Sequence, residues 1–352
     1  MIKGLERLGR RILAVLLGWL LRLRPEPVQL AATARILVVR LDTRLGNLVM
    51  TTPLLQSLRA RFPQAPIDLL AAEPLAELLG DHPAVTRVIA YRRHGLLRAR
   101  GPLAVVAGLR RSGYDLAIDA GNPTDPSLTQ ALIVRLSGAR HTLGIAQAPF
   151  THFYSAPAAP RLGAHHEIDL RLALLAPLPG DAVARLPTLP HLGAPAELPQ
   201  GFTSPAELRA LAVVNVGARL TPRHLTGEAY ALMCGWLAEI GLRVVLTFGP
   251  ADAHLAQQVA ERCDPPPPTP PTTLRELAAL VRAARLVVTA DSGPMHLAVG
   301  LGTPTCAVFV ASDPQRYGYP DPPHLLLHGG DGAQLRQAHP RFAAWAAGHA
   351  PG

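Results

Sequence analysis

The sequence predicts an α/β protein built from two Rossmann-like, doubly wound domains. Three observations predict it. Strand-like apolar runs alternate with segments of helical period, the alternation lapses in a Pro- and Gly-rich stretch and then restarts, and 352 residues is the length of two ordinary domains. The strand runs are continuously apolar rather than alternating, as in parallel strands covered on both faces.

The first domain is expected over residues 34–180, beyond a linker carrying Pro25 and Pro27. Residues 35–41 (RILVVRL) read as a buried strand. After a turn at Gly46, Leu48, Val49, Thr52, Leu55 and Leu58 recur at helical spacing until Pro63 ends the helix. Residues 67–71 and 87–91 are strands, 103–111 a helix, and 114–119 a strand that ends in Asp119, Ala120, Gly121 and Asn122. Residues 161–200 are Pro- and Gly-rich apart from a helix near 167–175, and 181–205 is the expected linker.

The second domain, 206–330, repeats the pattern. Strands are expected at 211–216, 243–248, 286–290 and 305–310, with helices at 227–240, 252–262, 274–284 and 295–301. Residues 265–271 are nearly all proline, a stiff connector with no core role. Residues 331–352 read as a Gly/Ala-rich tail in which 342–347 is a short docking helix. Two such domains imply a central cleft faced by the carboxyl ends of both sheets.

Composition narrows the function. The formal charge of +9 invites a nucleic-acid partner, but Lys3 is the only lysine and no block interleaves aromatic with basic residues, so nucleic acid is set aside. An anionic membrane or a phosphorylated acceptor suits the charge better. Cys234, Cys263 and Cys306 are far apart in sequence and suggest neither a disulfide framework nor a zinc site. His165, His166 and Glu167 are adjacent, and adjacent residues on a helix diverge, so they are not read as metal ligands.

The amino terminus is distinctive. Residues 12–21 form an uncharged apolar run, preceded by Lys3, Arg7, Arg10 and Arg11 and followed by Arg22 and Arg24. It is shorter than the about 20 residues that span a bilayer. The basic residues straight after the run and the lack of a small-x-small cleavage site argue against a signal peptide. Residues 1–33 read as a basic amphipathic helix and linker, with 1–24 lying in the membrane interface. Packing on the protein itself is the alternative. The implied place is cytoplasmic, peripheral to the inner membrane.

Residues 287–298 (VVTADSGPMHLA) carry the chemistry. A β-branched strand stops at Asp291, turns through Ser292 and Gly293, and opens a helix at Pro294, a residue favoured in a first turn. Free N–H groups and the helix dipole make an anion site there, and phosphate is the usual anion. Asp291 cannot attract phosphate and is better suited to accept hydrogen bonds from sugar hydroxyls. His296, one turn inside, would face the same ligand. Without further context, Asp291 is equally a helix cap and His296 a core histidine.

The motif D-S/T-G-P-x-H after a strand resembles the carboxy-terminal block of the ADP-heptose:lipopolysaccharide heptosyltransferases, glycosyltransferase family 9. The resemblance covers roughly residues 34–326 and implies the GT-B arrangement. It implies that Asp291, Ser292, Gly293 and His296 bind the diphosphate and sugar of the donor, with Ser312, Asp313, Pro314 and Tyr317 in the following loop. A second block, 213–223 (VVNVGARLTPR), implies a phosphate contact at Arg223, where relatives carry lysine, and includes Arg219 among the donor contacts. Leu225 stands where relatives carry Trp. Arginine keeps the charge and forks onto two oxygens. Asp252, in Gly249-Pro250-Ala251-Asp252, stands where relatives place a nucleoside-contacting Glu.

The amino-terminal block, 40–53 (RLDTRLGNLVMTTP), departs from the family pattern. The common pattern is Gly-Asp, whose Asp is the candidate general base. Here Gly46 is followed by Asn47, and an amide accepts no proton at neutral pH. Either Asp42 takes the role, or Asn47 positions the acceptor, or activity is lost. Arg40, Arg44, Arg92 and Arg93 are the basic residues available to an anionic, lipid-linked glycan acceptor. The resemblance implies an inverting, metal-independent transfer of heptose from ADP-heptose to a lipopolysaccharide core, with no cofactor. The alternatives are a same-fold transferase using another nucleotide sugar, a nucleotide-sugar epimerase, and an inactive nucleotide-sugar-binding protein.

Overall fold

A computed structural model of the chain describes residues 2–92, 101–160, 163, 166–202, 204 and 208–349. The chain divides into two compact units, Met1–Arg185 and Leu186–Gly352. The division falls inside the segment expected as a linker. That segment is not a free tether, because Leu189 and Leu192 are buried in the second unit. There the Leu189 N–H donates to Gly300 O at 2.6 Å, and Arg282 donates to the carbonyls of Leu192 and Leu189 at 2.6 and 2.8 Å.

The first unit holds β1 (Ile36–Arg40), β2 (Ile67–Ala72), β3 (Arg87–Tyr91), β4 (Leu116–Asp119), β5 (His141–Ile145) and β6 (Ala156–Ala158). They form one sheet in the order β3-β2-β1-β4-β5-β6, with every pair parallel. The order reverses between β1 and β4, so the loops leaving these two strands diverge and open a crevice at their carboxyl ends. Ile36, Leu37, Val38 and Val39 are fully buried, as the continuous apolar run requires.

The helix expected after Gly46 is in fact two, α2 (Leu45–Val49) and α3 (Thr52–Arg61). Pro53 is the reason. It has no N–H to reach the Val49 carbonyl one turn back, and the Thr52 hydroxyl takes that acceptor instead at 2.9 Å. The break keeps α2 short, with Gly46 and Asn47 buried against the end of β1. Further helices of this unit are α4 (Glu73–Ala76), α5 (Pro102–Ser112), α6 (Leu128–Leu136) and α7 (Glu167–Leu172).

The amino-terminal helix α1 (Ile2–Leu20) is two-sided. Ala14 and Gly18 are buried, with Gly18 set against Pro149, His152 and Phe153. The chain beyond is tied down by Leu23 N–H to His152 O and Glu26 N–H to Ser155 O, at 3.2 and 2.8 Å. Ile12, Leu13, Val15, Leu16, Trp19 and Leu20 are exposed, Trp19 by 77%. No helix among the described residues is long and apolar enough to cross a membrane.

The second unit holds β7 (Leu211–Val216), β8 (Arg243–Phe248), β9 (Leu286–Ala290), β10 (Thr305–Phe309) and β11 (Leu325–His328), ordered β11-β10-β9-β7-β8 and all parallel. Its helices include α8 (Gly227–Glu239), α9 (Ala253–Ala260), α10 (Leu274–Ala283), α11 (Gly293–Leu301), α12 (Pro314–Tyr317) and α13 (Gly332–Ala347). The segment expected as a tail is thus the 16-residue α13, capped by Asp331, with Leu335, Phe342 and Ala346 in the core cluster. Cys234, Cys263 and Cys306 are free thiols; Cys234 on α8 and Cys263 beyond α9 belong to one apolar cluster, where the Cys263 thiol donates to Val259 O at 3.3 Å.

Candidate active site

In the second unit, four loops at the carboxyl ends of β7, β8, β9 and β10 carry the expected donor residues. The loop after β9 builds the centre. Ser292 is the N-cap of α11 in extended conformation (φ −149°, ψ 174°), but its side chain does not cap the helix. It pairs instead with the Thr289 hydroxyl at 3.0 Å. The first turn, with Gly293 and Pro294 at its start, is therefore not closed by its own cap and keeps its anion-binding character. The helix opens at Gly293, one residue before the expected start, and stops at Gly302 in the left-handed region (φ 79°).

Asp291 and Arg223, expected as separate donor contacts, meet each other. Arg223 Nη1 lies 2.9 Å from Asp291 Oδ2. Asp291 is 2% exposed, and Oδ2 makes no hydrogen bond of acceptable geometry. Burial pushes the Asp291 carboxyl above the usual range, while Ser312 and Arg223 pull it back. Arg223 also lies over the Tyr317 ring, 5.4 Å from its centroid.

The loop after β7 turns at Gly217 (φ 90°), whose N–H donates to the Tyr230 hydroxyl at 2.9 Å. The Asp252 carboxyl sits so close over Gly217 that a Cβ would overlap it. Asp252 Oδ1 is 3.7 Å from His224 Nε2, and the same ring nitrogen contacts Ala218 O. Burial raises the Asp252 carboxyl, and His224 draws it down. Arg219 is exposed on the same loop. His296 is buried, with Nδ1 2.8 Å from the Tyr319 hydroxyl and its ring edge-on to Tyr319. Tyr319 was not singled out from sequence.

In the first unit, the loop after β1 gathers Asp42 and Asn47. Asp42 Oδ1 accepts the Arg44 N–H at 2.7 Å, which fixes the turn. Its Oδ2 accepts from Asn47 Nδ2 at 2.6 Å and from Arg40 Nη2 at 3.4 Å. Arg40 faces inward rather than toward an acceptor: it is 0% exposed and donates to Ala120 O at 2.6 Å. Burial first, then Arg171, pushes the Arg40 guanidinium down to about 9. Arg44 is exposed on the same loop.

Arg92 is held by Glu73 through two bonds of 2.5 and 2.9 Å, and Arg93 lies outside the described residues. His165 does too, while His166 Nδ1 accepts the Ile168 N–H as a helix cap. Glu167 pairs with Arg171 at 3.2 Å, both side chains almost fully buried. Sequence reading passed over Arg171. The available signal was its i,i+4 spacing from Glu167.

Comparison with known proteins gives this geometry a context. The model of the family described as glycosyltransferase family 9 (heptosyltransferase) matches residues 103–325. Lipopolysaccharide heptosyltransferase 3 of Escherichia coli is 27% identical over 287 residues, 76% of this chain and 81% of that protein. Lipopolysaccharide heptosyltransferase 1 of E. coli strain K12 is 25% identical over 297 residues, 81% of this chain and 90% of that protein. Two solved structures share the fold. One is the family 9 glycosyltransferase of Veillonella parvula (TM-score 0.75, 21% identity, 91% of this chain and 94% of that one). The other is E. coli heptosyltransferase WaaC with ADP (TM-score 0.73, 23% identity, 88% and 98%). The two parallel sheets and these likenesses establish the GT-B class expected from sequence. By the family match over most of its length, the chain belongs to glycosyltransferase family 9, the heptosyltransferase family, and is a glycosyl-transferring enzyme.

Proposed function

We propose that the enzyme moves heptose from ADP-heptose to a hydroxyl of a lipopolysaccharide core acceptor, with inversion and without a metal ion. The observation that carries this reading is the Arg223–Asp291 pair beside the uncapped start of α11. Arg223 and the first turn of α11, with Ser292 and Gly293, are assigned to the donor diphosphate, where they neutralise the charge that develops as ADP leaves. The diphosphate would compete with Asp291 for Arg223. The released carboxylate then accepts hydrogen bonds from the sugar hydroxyls. Asp252 and Arg219 are assigned to the nucleoside side, and buried His296 is assigned to shaping the sugar pocket through Tyr319.

The acceptor oxygen bonds to the anomeric carbon, the anomeric C–O bond to the diphosphate breaks, and the acceptor proton passes to Asp42. Asp42 is chosen over Asn47 because it is the carboxylate of that loop and its side chain is 22% exposed. Arg44 is assigned to the anionic acceptor.

The relatives' names support the heptose and lipopolysaccharide assignments, since they are lipopolysaccharide heptosyltransferases. The exposed apolar face of α1, followed by exposed Arg22 and Arg24, supports contact with an anionic membrane surface and a place at the cytoplasmic face of the inner membrane.

The deciding experiment is ADP release from ADP-heptose in the presence of truncated lipopolysaccharide, run beside a thermal-shift panel of ADP-, UDP-, GDP- and dTDP-sugars. Selective stabilisation by ADP-heptose with acceptor-dependent ADP release is expected. Selective stabilisation by another nucleotide sugar would reassign the donor, and stabilisation without turnover would make the chain a binding protein.

A further inference from the structure

Asn47 departs from the acidic residue common in its family, and its surroundings explain why. Its side chain lies between two groups of opposite and exclusive character. Asp42 Oδ2, 2.6 Å from Nδ2, accepts only, as an ionised carboxylate does. Arg171 Nη2, 3.4 Å from Oδ1, donates only. An amide carries one acceptor end and one donor end, so its orientation here is dictated by chemistry.

A carboxylate at 47 would suit Arg171 but would set two negative oxygens face to face at the Asp42 contact. Arg171 is itself fixed. It is 1% exposed, it pairs with Glu167 at 3.2 Å, and its Nη1 donates to Glu167 O at 2.9 Å. Behind Asp42 lies Arg40, fully buried, with Asp119 beyond it. The cluster is closed to solvent except at Asp42, and removing one member of a buried cation–carboxylate pair leaves the other charge uncompensated.

We propose that Arg171, anchored by Glu167, is a positioning residue that acts through Asn47 to hold the Asp42 carboxylate in place, so that the acidic group of this loop has moved from 47 to 42 and the amide at 47 is its required partner. This rests on the reading of Asp42 as the base. The groups facing Asp42 are Arg40 from β1, Arg44 from its own loop, and Arg171 and Glu167 from α7 through Asn47; Asp119 at the end of β4 faces Arg40.

The test has an arm that needs no activity. In Asn47→Asp the two neighbouring carboxylates share one proton, which raises one of them in the folded state. The melting temperature relative to wild type is then expected to fall as pH rises from 5 to 8. The exchange Asp42→Asn with Asn47→Asp, which restores one acid and one amide, is expected to remove that pH dependence. A flat difference for Asn47→Asp across the range would overturn the contact.

With ADP-heptose and truncated lipopolysaccharide, Asp42→Asn is expected to lose at least a hundredfold in kcat. The exchanged double variant is expected to regain at least tenfold of that loss. Arg171→Gln leaves Glu167 buried without its cation, so Glu167→Gln with Arg171→Gln is the variant to use. It is expected to keep donor KM within threefold while kcat drops tenfold or more and the acid limb of its pH profile shifts. Arg171→Lys is expected to restore part of kcat. Unchanged kcat and pH profile in the Gln/Gln variant would overturn the positioning role while leaving Asp42 as base. Full activity in Asp42→Asn would overturn the base assignment and the catalytic purpose of the positioning with it, while the melting arm would still report the Asp42–Asn47 contact.

Discussion

The loops that end the two sheets are built on different principles. In the first unit, side chains lock one another: Arg40, Arg171, Glu167 and Asn47 are all buried, and each bonds a neighbour in the cluster. In the second unit, backbone turns do the shaping, at Gly217 and at the uncapped start of α11, and the Arg223–Asp291 ion pair bridges two of the loops. A sealed cluster suits a group whose position must not change while a proton moves. A backbone cradle with an exchangeable pair suits a ligand that binds and leaves, because Arg223 is partly exposed and has a second surface in Tyr317 to lean on. The same fold, used twice, thus yields one loop locked by side chains and one shaped by backbone turns, the division that the proposed base and donor site call for.

The largest expected effect breaks the first half of this contrast. Asp42→Asn should lower kcat by about 10²- to 10⁴-fold, the usual contribution of a positioned base, with donor affinity unchanged by calorimetry. A loss below threefold would take Asp42 out of the mechanism.

Next comes the second half. Arg223→Ala should weaken donor binding by about 10- to 100-fold, the worth of charge-assisted hydrogen bonds to phosphate, and should also lower the melting temperature at pH 8, because it leaves the buried Asp291 carboxylate without its cation. Normal donor affinity would remove Arg223 from the site.

Gly217→Ala tests the backbone cradle. A side chain in that conformation, against Asp252, should cost about 1–3 kcal/mol, read as a lower urea midpoint. An unchanged midpoint would mean that the turn is not held as described.

A smaller effect concerns Asp291, whose carboxyl is raised by burial. The folded protein then holds a proton there at pH values where the unfolded chain has lost it. Ionised Asp291 therefore costs stability above its folded pKa, and the cost fades as pH falls through that value. Asp291→Asn should melt at the same or a higher temperature than wild type at pH 8, with the gap closing toward acid pH, while donor binding falls. A lower melting temperature at pH 8 would mark Asp291 as a structural acid rather than a functional one. The smallest stability effect is expected for Leu16→Glu with Trp19→Glu on the exposed face of α1, within about 0.5 kcal/mol. The same pair should abolish binding to vesicles containing anionic lipid, and undiminished vesicle binding would end the membrane assignment.

Much of this was legible in the residues. Strands β7, β8 and β9 fall where apolar, β-branched runs put them, because a strand covered on both faces leaves little choice of residue. Three strands escaped notice for the opposite reason. β5 contains His141 and Gly144, β6 is three residues around Pro157, and β11 is four residues just after Pro322 and Pro323. Short, interrupted strands have no periodicity, and their pairing is set by neighbours distant in sequence.

The site divides along the same line. Sequence by itself determined the Asp291–His296 motif, the helix start beside it, the arginine at 223 and the replacement of an acid by Asn47, because each depends on residue type within a few positions. Only the tertiary structure decided that Arg223 pairs with Asp291, that Arg40 turns inward, and that Arg171 reaches Asn47 from a helix far along the chain. Those are contacts between charges brought together by packing. Whether a charge meets water, a ligand or another charge depends on what the fold buries beside it, and no local pattern records that.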